Sequence, residues 1–183
     1  MSTAPEPITP QTSLQKVLEV YPGAQRALFK RYHIGGCSSC AFDPAETVEA
    51  LCRRNNAINV QEMIDHLRTS HEQDEQMQIL PLDLAERMKQ DASIKLLDIR
   101  TREEWEAVRI AGTTRMSQET MQEILGQWPR EGLMVIYDHC GTRSMDAAAY
   151  FQGHGFNNVR CLRGGIDAWS QEVDPQLARY RLE

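Results

Sequence analysis

Two rhythms of apolar and polar positions divide the chain. From Thr12 to about residue 70, apolar residues recur three or four positions apart, the period of one helix face. Leu14, Val17, Leu18 and Tyr21 form the first such stripe, and Thr12 with Gln15 fits a capping box ahead of it. Pro22 and Gly23 interrupt the pattern, and Ala24 to Tyr32 resume it as a second helix. Asp43, with Pro44 at the first helical position and Glu46 at the third, predicts a helix running through Cys52. Asn59 and Glu62 repeat that arrangement before Val60, Met63, Ile64 and Leu67.

The polar, acidic run "SHEQDEQMQ" has no apolar period and marks a boundary. After it, short apolar runs alternate with amphipathic stretches. "IKLLDI", "GLMVIYD" and "NVRCL" read as buried strands, and "LPLDLAERMKQ", "SQETMQEILGQW", "SMDAAAYFQGHG" and "GIDAWSQEV" as helices, with "TREEWEAVRI" a helix or turn. Strands alternating with helices predict a parallel sheet with helices on both faces. The expected organisation is therefore a tail at 1–11, a small helical domain at 12–70, a linker at 71–78, an α/β domain at 79–178 and a C-terminal tail at 179–183.

Composition narrows the class. With 183 residues, 41% apolar and 25% charged, the chain can pack a core, although the helical part is small enough to want a staple or a docking partner. A net charge of −6 with both signs interspersed argues against nucleic-acid and anionic-membrane partners. No apolar run is long enough to span a bilayer, and the first residues carry no secretory pattern. Five cysteines without such a pattern predict a reducing, cytoplasmic location where thiols stay reduced, redox-active or metal-bound.

The chemistry concentrates in "VIYDHCGTRSMDAAAYF", a strand, a small loop and a helix, placed where parallel sheets bind ligands. A loop entering a helix N-terminus turns backbone N–H groups inward. Gly141 permits the backbone geometry, and Arg143 adds a fixed cation. Asp138, His139, Gly141, Thr142 and Ser144 frame an anion-binding loop around Cys140. The plainer alternative makes Cys140 a small turn residue and Arg143 a surface cation.

With "LLDIRTREEWEAVRIAGT" before that stretch and "GFNNVRCLRGGIDAWSQEVDP" after it, residues 79–178 resemble a rhodanese domain, the sulfurtransferase fold. The resemblance implies a loop C-x-x-G-x-R-S whose first cysteine takes sulfane sulfur from a donor such as thiosulfate and passes it to a thiol or cyanide. Gly141, Arg143 and Ser144 match that pattern, so counting back puts Asp138 at the nucleophile's position and Cys140 third in the loop. An aspartate there can accept the inward N–H groups but cannot carry a persulfide, and it resembles the family's inactive, binding or regulatory members. His139 is a candidate proton carrier. Asp98 and Arg100, with Glu103 or Glu104, match the family's "D-x-R…E" stretch and read first as a structural salt bridge. Trp105, Trp128, Trp169 and Cys161 read as packing residues.

Cys37-x-x-Cys40 is a second thiol pair, with a spacing that suits a disulfide, zinc or an iron–sulfur cluster. Zinc needs four ligands, the nearest further candidates are Cys52 and His33, and no second C-x-x-C exists. Reversible dithiol chemistry or plain thiols are therefore the expectation, with no cofactor required. "VLEVYPGAQRALF", "GCSSCAFDPAETVEALC" and "NVQEMIDHL" resemble a small helical disulfide-type domain associated with hybrid-cluster and iron–sulfur proteins, which implies redox or sulfur handling. Two functions follow. In one, Cys140 with Arg143 relays sulfane sulfur or a disulfide, turns over thiosulfate weakly, and uses Cys37 and Cys40 as a redox pair. In the other, the loop is a catalytically inactive binding or regulatory module. A sulfur donor or thiol acceptor and a redox protein are the implied partners.

Overall fold

The computed structural model describes residues 7–35 and 43–180, and Cys37 and Cys40 lie outside them. The chain divides into two compact units between Glu75 and Gln76.

The first unit contains helices α1 (Leu14–Val20), α2 (Ala24–Tyr32), α3 (Val48–Arg54) and most of α4 (Val60–Met77). Leu14, Val17, Leu28, Val48, Leu51, Met63 and Leu67 are almost fully buried in one cluster. The capping signals at Thr12 and Asp43 are displaced. Ser13 caps α1 by accepting from Lys16 N–H, and Thr47 caps α3 by accepting from Ala50 N–H. The reason is reciprocal pairing of the two helix starts, which also form an isolated antiparallel bridge, Ser13 to Thr47. Leu14 and Gln15 N–H donate to the Glu46 and Pro44 carbonyls, while Val48 and Glu49 N–H donate to those of Thr12 and Pro10. Each helix thereby satisfies donors that its own first turn leaves unpaired. Residues 8–11, expected in the tail, are held by this arrangement, and Ile8 is buried.

The expected linker is also structured. Helix α4 continues through the polar run to Met77, because Arg26 pairs with Asp74 at 2.5 Å and the rings of Tyr21 and His71 stack with centroids 4.3 Å apart. Asn59 caps it as expected, accepting from Glu62 N–H at 3.1 Å.

The second unit is a five-stranded parallel sheet in the order β1-β5-β4-β2-β3, formed by β1 (Gln78–Ile79), β2 (Lys95–Asp98), β3 (Thr113–Arg115), β4 (Met134–Tyr137) and β5 (Val159–Leu162). Between and after the strands run α5 (Pro81–Gln90), α6 (Arg102–Ala107), α7 (Gln118–Gln127), α8 (Ser144–Gly153) and α9 (Gly165–Glu172). Alternation along the strands divides the core. Leu97, Ile136, Val159 and Cys161 pack with α7 and α8, whereas Leu96, Val135, Tyr137 and Leu162 pack with α5 and α9. Burial on both faces explains why the central strands read as unbroken apolar runs. The sequence reading missed β1 and β3, which are short edge strands without such runs.

Candidate functional site

Strand β4 ends at Tyr137, and the next residue turns inward. Asp138 is 2% exposed. Its Oδ2 accepts the backbone N–H of Arg143 at 2.6 Å, and its Oδ1 accepts that of Gly141 in a very short bond. The loop therefore wraps its main chain around a carboxylate, which takes the inward donors as a bound anion would. It is the Arg143 amide rather than its guanidinium that meets Asp138; the Arg143 side chain is exposed.

The loop is also fastened from behind. Gly165, at φ 60°, opens α9 so closely against the loop that a Cβ there would lie 2.5 Å from the carbonyl oxygens of both Asp138 and His139. Those carbonyls accept the N–H groups of Ile166 and Asp167 at 3.0 and 3.1 Å, so the first turn of α9 is satisfied by the loop. Gly141, at φ 86°, is the reciprocal close approach: its Cβ would meet Gly164 N at 2.9 Å. The turn that reads as shaping the pocket thus sets the loop's path by main-chain contact.

Cys140 is exposed, and its Sγ lies 3.2 Å from the Thr142 hydroxyl oxygen. His139 is half-buried; its ring packs on that of Tyr180 with centroids 4.5 Å apart, and its Nδ1 is buried without a hydrogen-bond partner. Ser144, fully buried at the start of α8, likewise has an unpartnered hydroxyl. The loop residues Asp138, His139, Cys140, Gly141, Thr142, Arg143 and Ser144 are brought together by the strand-to-helix turn. Among the described residues, no group of three or more His, Cys, Asp or Glu side chains could hold a metal ion, and no helix is long and apolar enough to cross a membrane.

Beside the loop, the "D-x-R…E" residues form a network that is buried at Asp98 and Arg100 and reaches the half-buried Glu104. Asp98 and Arg100 are 0% and 3% exposed, and Arg100 Nη2 donates to Asp98 Oδ2 at 2.5 Å. Arg100 Nη1 donates to the Tyr180 hydroxyl at 2.8 Å, which donates to Glu104 Oε1 at 2.7 Å. Burial works against the Arg100 charge, but the bonds to Asp98 and Tyr180 outweigh it and raise its pKa. Glu104 also completes a capping box with Thr101 on α6. Burial opposes its ionised form, yet hydrogen bonds from Tyr180 and Thr101 hold its carboxyl below the usual range.

Tyr180 and Arg179, expected in a C-terminal tail, belong to this surface. Arg179 pairs with Asp167 through bonds of 2.9 and 3.1 Å, and a cleft of about 350 Å³ is lined by His139, Asp167, Arg179 and Tyr180. Sequence reasoning missed them because a short polar terminus carries no period. Its one signal was an aromatic residue, Tyr180, beyond the last helix. Trp128 and Trp169 are buried in the two core clusters and Cys161 in the strand, as expected, while Trp105 lies under Arg109, 4.4 Å from guanidinium carbon to ring centroid.

Comparison with known proteins finds one family across most of the second unit. The family model described as "Rhodanese-like domain" matches residues 80–172, just over half of the chain. A sulfurtransferase of Allochromatium vinosum is 32% identical over 95 residues, covering 52% of this chain and 89% of that protein. The probable adenylyltransferase/sulfurtransferase MoeZ of Mycobacterium tuberculosis is 30% identical over 104 residues, covering 56% of this chain but only 26% of that protein. The thiosulfate sulfurtransferase GlpE of Pseudomonas entomophila is 26% identical over 88 residues, covering 48% and 81% of the two chains. A rhodanese-related protein from Thermoplasma volcanium is a similar solved structure, with TM-score 0.44 and 25% identity, covering 55% of this chain and 96% of that one.

Proposed function

The chain belongs to the rhodanese-like family, and on that footing we propose that it handles sulfane sulfur or thiols through Cys140 at the rim of the loop rather than through a nucleophile at its floor. The observation that carries this reading is the pairing of an exposed Cys140 thiol with a floor already filled by the Asp138 carboxylate. The Cys140 thiolate attacks the outer sulfur of a donor such as thiosulfate, the S–S bond breaks, and sulfite leaves with the electron pair. The resulting persulfide gives its outer sulfur to a thiolate or cyanide, which restores the Cys140 thiolate. Because Asp138 already takes the Gly141 and Arg143 amides, little main-chain stabilisation remains for the anion that builds up. Turnover of thiosulfate is therefore weak, and small-molecule or protein thiols are the acceptors. Cys37 and Cys40 are the redox pair of the first unit in this reading.

The same occupied floor favours a second reading, a catalytically inactive module whose loop is a binding surface. A thiosulfate:cyanide assay, run beside mass spectrometry of the Cys140 peptide after donor treatment, decides between them. A 32-dalton adduct on Cys140, absent in Cys140→Ser, supports the relay; no adduct and no thiocyanate leaves the module.

A further inference from the structure

The structure carries a link from a buried ion pair to the loop that the relay does not use. Asp98 at the end of β2 holds Arg100, Arg100 holds the Tyr180 hydroxyl, and the Tyr180 ring lies against His139. Tyr180 is fixed three ways: by Arg100, by Glu104, and by packing with the cluster that contains Ile166 and Trp169. The segment leading to it is itself fastened, since Leu177 joins the same cluster and Arg179 pairs with Asp167. The imidazole is thus committed to Tyr180, whereas the neighbouring thiol meets Thr142.

We propose that Tyr180 is a positioning residue that holds the His139 ring away from the Cys140 thiol, so that the thiol reacts without a histidine beside it. This rests on the reading of Cys140 as the reacting thiol. Among the described residues, the charged and titratable groups around His139 are Asp167 on α9, Arg179 and Tyr180 on the C-terminal segment, and Asp138 and Cys140 in the loop itself. Freed from Tyr180, the imidazole can turn toward its neighbour, and an imidazolium there favours the thiolate. The segment from Asp174 to Tyr180 then acts as a brake on the loop.

The test is the pH profile for alkylation of Cys140 by iodoacetamide in the full chain, read by peptide mapping so that the other cysteines do not contribute. Tyr180→Ala is expected to raise the rate at pH 7 roughly threefold, with about tenfold, the change that one unit of thiol ionisation brings, as the ceiling. It is also expected to add a limb to the profile where an imidazolium beside the thiol gives up its proton. The double variant Tyr180→Ala/His139→Asn should lose that limb. A Tyr180→Ala profile superimposable on the parent's overturns the proposal, as does a new limb that survives His139→Asn. Should Tyr180→Ala fail to fold, Tyr180→Leu, which keeps apolar bulk against the cluster but removes the ring that meets His139, is judged by the same profile. Donor-dependent persulfide formation is measured on the same samples. Its absence with an altered alkylation profile refutes the relay alone, and its presence with an unaltered profile refutes the positioning role alone.

Discussion

Two buried aspartates stand at the ends of neighbouring strands, and they are stabilised in opposite ways. Asp98, which closes β2, is held by a guanidinium: Arg100 is its partner through Nε and Nη2. Asp138, just beyond β4, is held among the described residues by the main-chain amides of Gly141 and Arg143. In the first case charge meets charge, and each partner would be an uncompensated ion without the other. In the second the loop's own backbone supplies the donors, so removing the carboxylate leaves a set of aimed N–H groups and no stranded cation. The first arrangement braces the carboxyl end of β2, and the second is a vacancy filled by its own chain.

The largest expected effect tests the bracing. Asp98→Asn, which strands the buried Arg100, should destabilise the protein by about 3–5 kcal/mol in urea unfolding. A loss below about 1 kcal/mol would erase the contrast. Asp138→Cys tests the vacancy by placing a thiol where the amides converge. Thiosulfate:cyanide turnover should rise on the order of a hundredfold over the parent, the scale of one aimed donor in an anion-stabilising site. If it does not rise, the amides do not form an anion cradle. Asp138→Asn keeps one acceptor and turns an amino group toward the other amide. Its expected cost, about 1–2 kcal/mol, is smaller than that of the matched change at 98.

The smallest effect reads the network around Arg100. Burial, reinforced by the bond to Glu104, pushes the Tyr180 phenol up to about 12, against an ordinary value of 10.0. A group whose folded value is raised contributes stability that is complete below its unfolded value and lost as pH climbs to the folded one. Thermal midpoints of the parent should therefore fall between pH 10 and about 12 more steeply than those of Tyr180→Phe. Parallel curves would mean that this phenol is not tied to the ion pair.

Much of this was legible in the sequence because its physics is local or periodic. Central strands buried on both faces must be apolar throughout, so β2, β4 and β5 announce themselves. Counting back from Gly141 and Arg143 pointed to Asp138 as the floor of the loop, and its carboxylate is the group that takes their amides. What could not be read depended on partners distant in the chain. Asp43 looks like a cap, but its Oδ1 accepts from Ala45 N–H in a tight turn, and Thr47 caps once the chain pairs with the start of α1. The end of α4 lacks an apolar stripe, and its helix rests on Arg26 and Tyr21. Tyr180 lies 76 residues from Glu104, its hydroxyl's acceptor, a separation across which no motif speaks.

The meeting of Gly141 with the turn at Gly164 and Gly165 has a wider consequence. The walls of this socket consist of peptide groups, the one chemistry that every residue shares, and their closeness excludes even a methyl group. A protein built this way can exchange the plug while leaving the fitting untouched. A change of side chain at position 138 alters what fills the socket and leaves the mould that holds it.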